Sequence, residues 1–191
     1  RRLVDESAMA PSTADRIAVT RLIAAEIGHF EELAERVSAA GRSVEAAVDA
    51  HVQVFDRYHQ ATMPSNWLEV LVKMYIGDAL AADFYAEMTE VLPAGTRDVF
   101  ASVMGQTGSS EWAKDTVRAA VAADPAVASP LTLWGRRLLG EAITHMQWVL
   151  AEDEDVTDLL FAGTGSLSSV ATFFEAIAQR HAARMAELSL G

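Results

Sequence analysis

Glu26 and His29 stand three residues apart inside a long apolar helical pattern. Residues at this spacing share one face of an α-helix. The surrounding apolar residues also recur at helical spacing, and they are Val19, Leu22, Ile23, Phe30, Leu33 and Val37. The pattern predicts a helix that turns a carboxylate and an imidazole toward a protein core. Helical bundles with such groups in their core commonly use them to bind a metal, most often iron.

Cysteine is absent from the 191 residues. Its absence excludes disulfides, zinc–thiolate sites, iron–sulfur clusters and cysteine nucleophiles. Any metal would be held by oxygen and imidazole nitrogen atoms, a set of ligands that suits iron or manganese.

The chain has a formal net charge of −12. This charge opposes broad binding to nucleic acid, which requires Lys and Arg to neutralise phosphates. No run of about 18 apolar residues predicts a membrane span, and residues 1–6 lack the apolar segment of a signal peptide. We therefore expect a cytoplasmic protein that does not enter a membrane.

The sequence predicts helices joined by short turns and no strand, which is typical of an all-α antiparallel bundle. We expect one domain over residues 1–191, with its first helix truncated at the N-terminus. The predicted helices span residues 1–9, 12–40, 43–60, 65–92, 96–123, 131–152 and 167–188. Ser12 is expected to cap the second helix, and Pro125 and Pro130 to bracket a link.

Asp78 and Glu111 are predicted to lie at one level. Each is about 16 residues from the turn at residues 93–96, or about 24 Å along its helix. Residues equally far from the turn of a helical hairpin face each other. Asp83 is a rival to Asp78 for this position.

The same argument applies to Glu26, which follows the turn at Ala10 and Pro11 by about 15 residues. Its partner on the preceding helix would lie before Arg1. Because the chain begins inside a helical pattern without Met, we expect a further carboxylate among residues that precede Arg1.

The order of the predicted helices, with Glu-x-x-His on the second and a single acid on each of two later helices, resembles the ferritin-like di-iron carboxylate proteins. The extra helices after the four-helix core are similar to the tRNA hydroxylase family that acts on the methylthio-isopentenyl-adenosine base, and five segments resemble a hydroxylase-like actinobacterial branch of it. The resemblance extends over nearly the whole chain. The segments are residues 25–30 (AEIGHF), 67–73 (WLEVLVK), 75–78 (YIGD), 82–85 (ADFY) and 133–141 (LWGRRLLGE).

The resemblance implies a metal site. By it, Glu26 would bridge two irons and His29 would bind one of them. Asp78 would replace the single Glu of the third helix, and Glu111 would be the acid of a second Glu-x-x-His motif. Lys114 occupies the position at which the family has His, so the second iron would lack its imidazole.

Glu141 and His145 are four residues apart and share a helix face. They are predicted to support the site as outer groups or to substitute for the missing ligand, or to form an ordinary hydrogen bond in the core.

Simpler roles are open for the other residues. Glu111 could form a helix salt bridge with Lys114, and Asp78 could cap a neighbouring helix or pair with Arg136 or Arg137. His51, His59 and His181 are expected at the solvent or at helix ends.

Two functions follow from these patterns. The first is a non-haem iron oxygenase with one or two irons, which would hydroxylate a small molecule or a modified nucleoside. A tRNA substrate is disfavoured by the charge, and a homodimer is possible. The alternative is a non-catalytic ferritin-like bundle with a degenerate metal site, which would act as a binding or interaction protein.

Overall fold

The computed structural model describes residues 2–50, 52–89, 108–152 and 167–191. These residues form eight α-helices and two short 3₁₀ turns, without a strand. The predicted all-α class is therefore confirmed. The helices are α1 (Arg2–Glu6), α2 (Thr13–Ala39), α3 (Val44–Asp49), α4 (Val52–Ala61), α5 (Trp67–Thr89), α6 (Gly108–Ala123), α7 (Ala128–Glu152) and α8 (Leu167–Glu187).

The chain divides into two compact units, Arg1–Val70 and Leu71–Gly191. The single domain expected from the sequence stays a prediction. No helix of the described residues is long and apolar enough to cross a membrane.

Polar caps fix the helix starts of the first unit. Ser12 accepts a hydrogen bond from the backbone N–H of Asp15 at 3.1 Å, as predicted. Ser43 accepts one from the N–H of Ala46. These bonds satisfy N–H groups that have no partner within the helix. The helix predicted over residues 43–60 is instead two helices, α3 and α4.

A second kind of cap starts α5. Asn66 accepts a hydrogen bond from the N–H of Glu69 at 3.0 Å. The Glu69 carboxylate in turn accepts from the N–H of Ser65 at 2.7 Å and from the amide of Asn66. This reciprocal arrangement of a polar cap and an acid three residues later fixes where the helix begins.

Helix α5 supplies much of the core of the second unit. Leu71, Val72 and Ile76 are fully buried, and Lys73 and Tyr75 are nearly so. A helix segment that is apolar on all sides is buried on all sides. The apolar run that begins at Val70 therefore makes α5 an interior element rather than a surface helix.

Helix α7 begins earlier than predicted. Pro130 was expected to end a link, but it lies in the first turn of α7, which begins at Ala128. Proline is tolerated there because the first N–H groups of a helix have no internal partner. Farther along, Gly135 lies against Met185 of α8. The missing side chain of Gly135 allows the two helices to approach closely.

The end of the chain docks on α7. Ser189 adopts a left-handed φ of 61°, and the N–H of Leu190 donates to the carbonyl of Met185 at 2.8 Å. This pattern is a Schellman cap. It turns the chain so that Leu190 is buried and its carbonyl accepts from Thr132 Oγ1 at 2.9 Å. The cap and this bond fix the position of α8.

The turn at residues 93–96 and the first part of the helix predicted after it lie outside the described residues. The equal level of Asp78 and Glu111, which rests on that turn, therefore stays a prediction.

Two helical glycines of α7 provide a test of the packing. Gly140 has open space around it, whereas a Cβ at Gly135 would come within 2.5 Å of Met185 Cε. Gly140→Ala should raise the free energy of unfolding by about 0.5–1 kcal/mol through helix propensity. Gly135→Ala should lose that gain or destabilise the protein, because Met185 is buried and must move. Urea unfolding of both variants checks this, and equal stabilisation by the two changes would contradict the packing.

Candidate functional site

Glu26 and His29 lie on α2, in the first unit. His29 Nδ1 is 3.8 Å from Glu26 Oε1, and the Glu26 side chain is 51% exposed. The expectation that Glu26 faces a core is therefore wrong. Only the beginning of the apolar stripe is covered, since Val19 is buried whereas Phe30 is exposed. The proposed role of Glu26 and His29 in metal binding stays a prediction.

Glu111 and Lys114 form the salt bridge that the sequence left open. Lys114 Nζ lies 2.6 Å from Glu111 Oε2 on α6, and the Glu111 side chain is 67% exposed. The hydrogen bond to Glu111 raises the pKa of Lys114, so the ammonium stays charged at neutral pH. The Lys114 ammonium thus contacts the Glu111 oxygen that would bind iron if Glu111 belonged to a second Glu-x-x-His motif.

Asp83 is a buried carboxylate of the second unit. Arg184 of α8 donates two hydrogen bonds to it, from Nη1 to Oδ2 at 2.5 Å and from Nη2 to Oδ1 at 2.6 Å. Arg180 Nη1 approaches Oδ1 at 3.6 Å. The planar guanidinium matches both carboxylate oxygens, which is the strongest geometry for such a pair.

A second polar contact joins the same helices. The hydroxyl of Tyr75, which is buried on α5, donates a hydrogen bond to Glu187 Oε2 on α8. Burial, together with this bond and the negative charge of Glu187, raises the pKa of Tyr75, so the phenol stays protonated. Tyr75 and Asp83 therefore each hold α8 through a separate interaction.

His181 lies on α8 about one turn before Arg184. It is 4% exposed, so the expectation that it faces the solvent is wrong. Neither ring nitrogen has a hydrogen-bond partner. Burial lowers the pKa of His181, the charge of Arg184 lowers it further, and Asp83 opposes the shift. The imidazole is therefore neutral at pH 7.

Asp78, Glu141 and His145 are partly buried in the second unit. Asp78 lies on α5, and the other two lie on α7. Their proposed roles as ligands or as supporting groups stay predictions. Nowhere in residues 2–50, 52–89, 108–152 and 167–191 do three His, Asp or Glu side chains form a group that could hold a metal ion.

The sequence interpretation missed Arg180, Arg184 and Glu187 as partners of α5. Their signal is the pattern of α8, where charged residues are interleaved with the buried Phe173, Ile177 and Met185. A charged group that is partly buried beside an apolar stripe needs a partner of opposite charge. The sequence does not show which residue pairs with Arg184, because its partner Asp83 lies 101 positions away in the chain.

The Asp83–Arg184 pair provides a test of stability. Asp83→Ala should lower the free energy of unfolding by about 2–4 kcal/mol, because it leaves a guanidinium in the interior without its carboxylate. Glu32→Ala is the matched control, since it breaks an exposed pair with Arg36 at 3.1 Å and should cost less than about 1 kcal/mol. Chemical denaturation measures both, and equal losses would contradict the importance of the buried pair.

His181 provides a test against pH. Its pKa in the folded chain is below the ordinary value of 6.5, so the unfolded chain binds the proton more readily. This group should leave stability unaffected above about pH 6.5 and reduce it as the pH falls below that value. His181→Leu should therefore flatten the loss of stability between about pH 7 and 5.5, as measured by urea unfolding. An unchanged slope would show that His181 is not responsible.

The model of a family described as the ferritin-like domain of actinomycetes matches residues 1–163. No curated protein matches the chain. Because the matched region covers most of the 191 residues, the chain belongs to this family of actinomycete ferritin-like domains.

Proposed function

We propose that this protein is a non-catalytic member of the ferritin-like fold that acts by binding a partner. In it, ion pairs within the chain take the place of metal ligands. The observation that carries the proposal is the 2.6 Å contact between Lys114 Nζ and Glu111 Oε2. It occurs at the motif in which the resemblance to di-iron proteins requires a histidine.

An ammonium at this position opposes a metal in two ways. It cannot donate an electron pair to iron while it is protonated, and its charge repels a divalent cation at the same oxygen. The raised pKa of Lys114 keeps it in that form. A neutral imidazole, by contrast, is an ordinary ligand of iron.

Asp83 supports the same conclusion from a second position. It is a rival to Asp78 as the acid of α5, and both of its oxygens accept hydrogen bonds from Arg184. A metal at Asp83 would have to displace a bidentate guanidinium. The charge that a metal would balance is already balanced by the chain.

The described residues therefore do not fit a two-iron site. Glu26 is largely exposed, Glu111 and Asp83 are occupied by cations, and Lys114 replaces a ligand.

A non-haem iron oxygenase is the second candidate. The neighbouring Glu26 and His29 favour it, since the His29 side chain is mostly covered and lies 3.8 Å from the Glu26 carboxylate. The resemblance to the tRNA hydroxylase family adds a modified tRNA base as a substrate class. The net charge of −12 weighs against tRNA.

Metal content distinguishes the two candidates. The full chain, without a metal-binding tag, should contain far less than one iron per molecule by elemental analysis, even after anaerobic incubation with ferrous iron. The physical reason is that Lys114 and Arg184 already neutralise the carboxylates.

Two histidine variants test whether Lys114 prevents iron binding. Lys114→His restores the imidazole of the second motif and should increase iron uptake, whereas Arg36→His, on an exposed face of α2, is the matched control and should not. About two irons in the unmodified chain, lost on Glu26→Ala or His29→Ala, would overturn the proposal and support the oxygenase.

A further inference from the structure

His181 occupies a core position of α8. Ile177 precedes it by four residues and Met185 follows it by four, so the three side chains lie on one face of the helix, and all three are buried. Neither nitrogen of the imidazole has a hydrogen-bond partner. A buried polar group without a partner is unfavourable, and the same group is more unfavourable when it carries a charge. The position therefore favours the neutral ring over the charged one.

The charges beside His181 come from its own helix and from α5. Arg184, about one turn farther along α8, donates two hydrogen bonds to the carboxylate of Asp83 on α5. Arg180 Nη1 lies 3.6 Å from the same carboxylate. Two guanidinium groups thus face Asp83 within the described residues, and both of its oxygens already accept from Arg184. A proton on His181 would add a further cation to this cluster, and Arg184 repels it.

Helix α7 also packs on α8 and brings ionisable groups of its own. Thr132 Oγ1 donates to the carbonyl of Leu190, and Gly135 lies against Met185. Because residue numbers rise along α7 as they fall along α8, the two helices are antiparallel, and residues near 140 lie at about the level of His181. The ionisable groups of α7 around this level are the partly buried Glu141 and His145 and the exposed Arg136 and Arg137.

The polar contacts described between α8 and its neighbours lie in its last turns, close to His181. They involve residues 180–190 of the chain, or about 15 Å along the helix axis. A change of charge at residue 181 therefore acts on the part of α8 that is bonded to α5 and α7. The contacts are those of Arg180 and Arg184 with Asp83, of Glu187 with Tyr75, and of Leu190 with Thr132.

We infer that His181 is an acid-sensitive release for the last turns of α8. When the ring takes up a proton, these turns loosen from α5 and α7, while the first unit keeps its fold. The protonated ring could pair with Asp83 only by displacing a donor of Arg184. A buried imidazolium without a partner and a broken pair between Asp83 and Arg184 each weaken the docking of α8.

The direction of the His181 titration agrees with a release by acid. Burial lowers the pKa of His181 and the charge of Arg184 lowers it further, against the opposing effect of Asp83. The docked ring therefore binds a proton less readily than the released ring, so the docked state loses stability as the pH falls below about 6.5. The release is a property of the second unit and depends on neither iron nor a binding partner.

Hydrogen exchange of the full chain, followed by mass spectrometry, tests this release. After correction for the intrinsic effect of pH on exchange, the amides of residues 177–190 should lose up to about tenfold in protection between pH 7.5 and 5.5. This is the limit for one group whose pKa in the unfolded chain is about 6.5. The amides of α2 in the first unit should keep their protection over the same range.

Two variants of His181 remove the titration. His181→Leu places an apolar side chain in the stripe, and His181→Gln keeps the position polar without a group that titrates. In both variants the protection of residues 177–190 should no longer depend on pH. His59→Gln, on α4 of the first unit, is the matched control and should keep the full response.

The titration of the ring itself is measured by NMR, and His181 should take up its proton below pH 6.5 in the folded chain. A value at or above 6.5 would overturn the inference. An equal loss of protection in His181→Leu and in the unmodified chain would do the same, as would constant protection of residues 177–190 down to pH 5.5. An equal loss in α2 and α8 would show unfolding of the whole chain in place of a release of α8.

Discussion

The ion pair between Asp83 and Arg184 is the contact on which the arrangement of α5 and α8 depends. A carboxylate that is nearly buried requires a cation or a proton, and Arg184 supplies the cation through two hydrogen bonds. The directional bonds also fix the register of the two helices, which the apolar contacts around them would allow to slide. Tyr75 and Glu187 add a second fixed point on the same helices, and the docked Leu190 adds a third on α7.

The way in which the carboxylates are neutralised also bears on function. In a di-iron protein, buried carboxylates are neutralised by metal ions, and the bundle is organised around them. Here Arg184 neutralises the buried Asp83, whereas Lys114 pairs with the exposed Glu111. The carboxylate that these helices enclose is thus neutralised by the chain itself. The family match to an actinomycete ferritin-like domain establishes the fold.

The described residues of the two units differ in how far their large apolar side chains are exposed. Among the described residues of the second unit, Leu133 is the large apolar residue that is exposed, and Leu71, Leu138 and Leu188 are fully covered. The first unit leaves Phe30 and its neighbours exposed, although α2 has the same periodicity as the buried helices. Exposure of a regular apolar stripe is a property of what packs on it and not of the helix.

The sequence by itself determined the helices, because periodicity, caps and breakers are local: Ser12 and the 167–188 pattern predicted α2 and α8 closely. The sequence also offered the Glu111–Lys114 salt bridge as one alternative, because residues three apart on a helix are neighbours on its surface. Only the tertiary structure decided that Arg184 pairs with Asp83, that His181 is buried and that Glu26 is exposed. Those outcomes depend on contacts between residues far apart in the chain, and a helical pattern specifies which face is apolar but not which partner covers it.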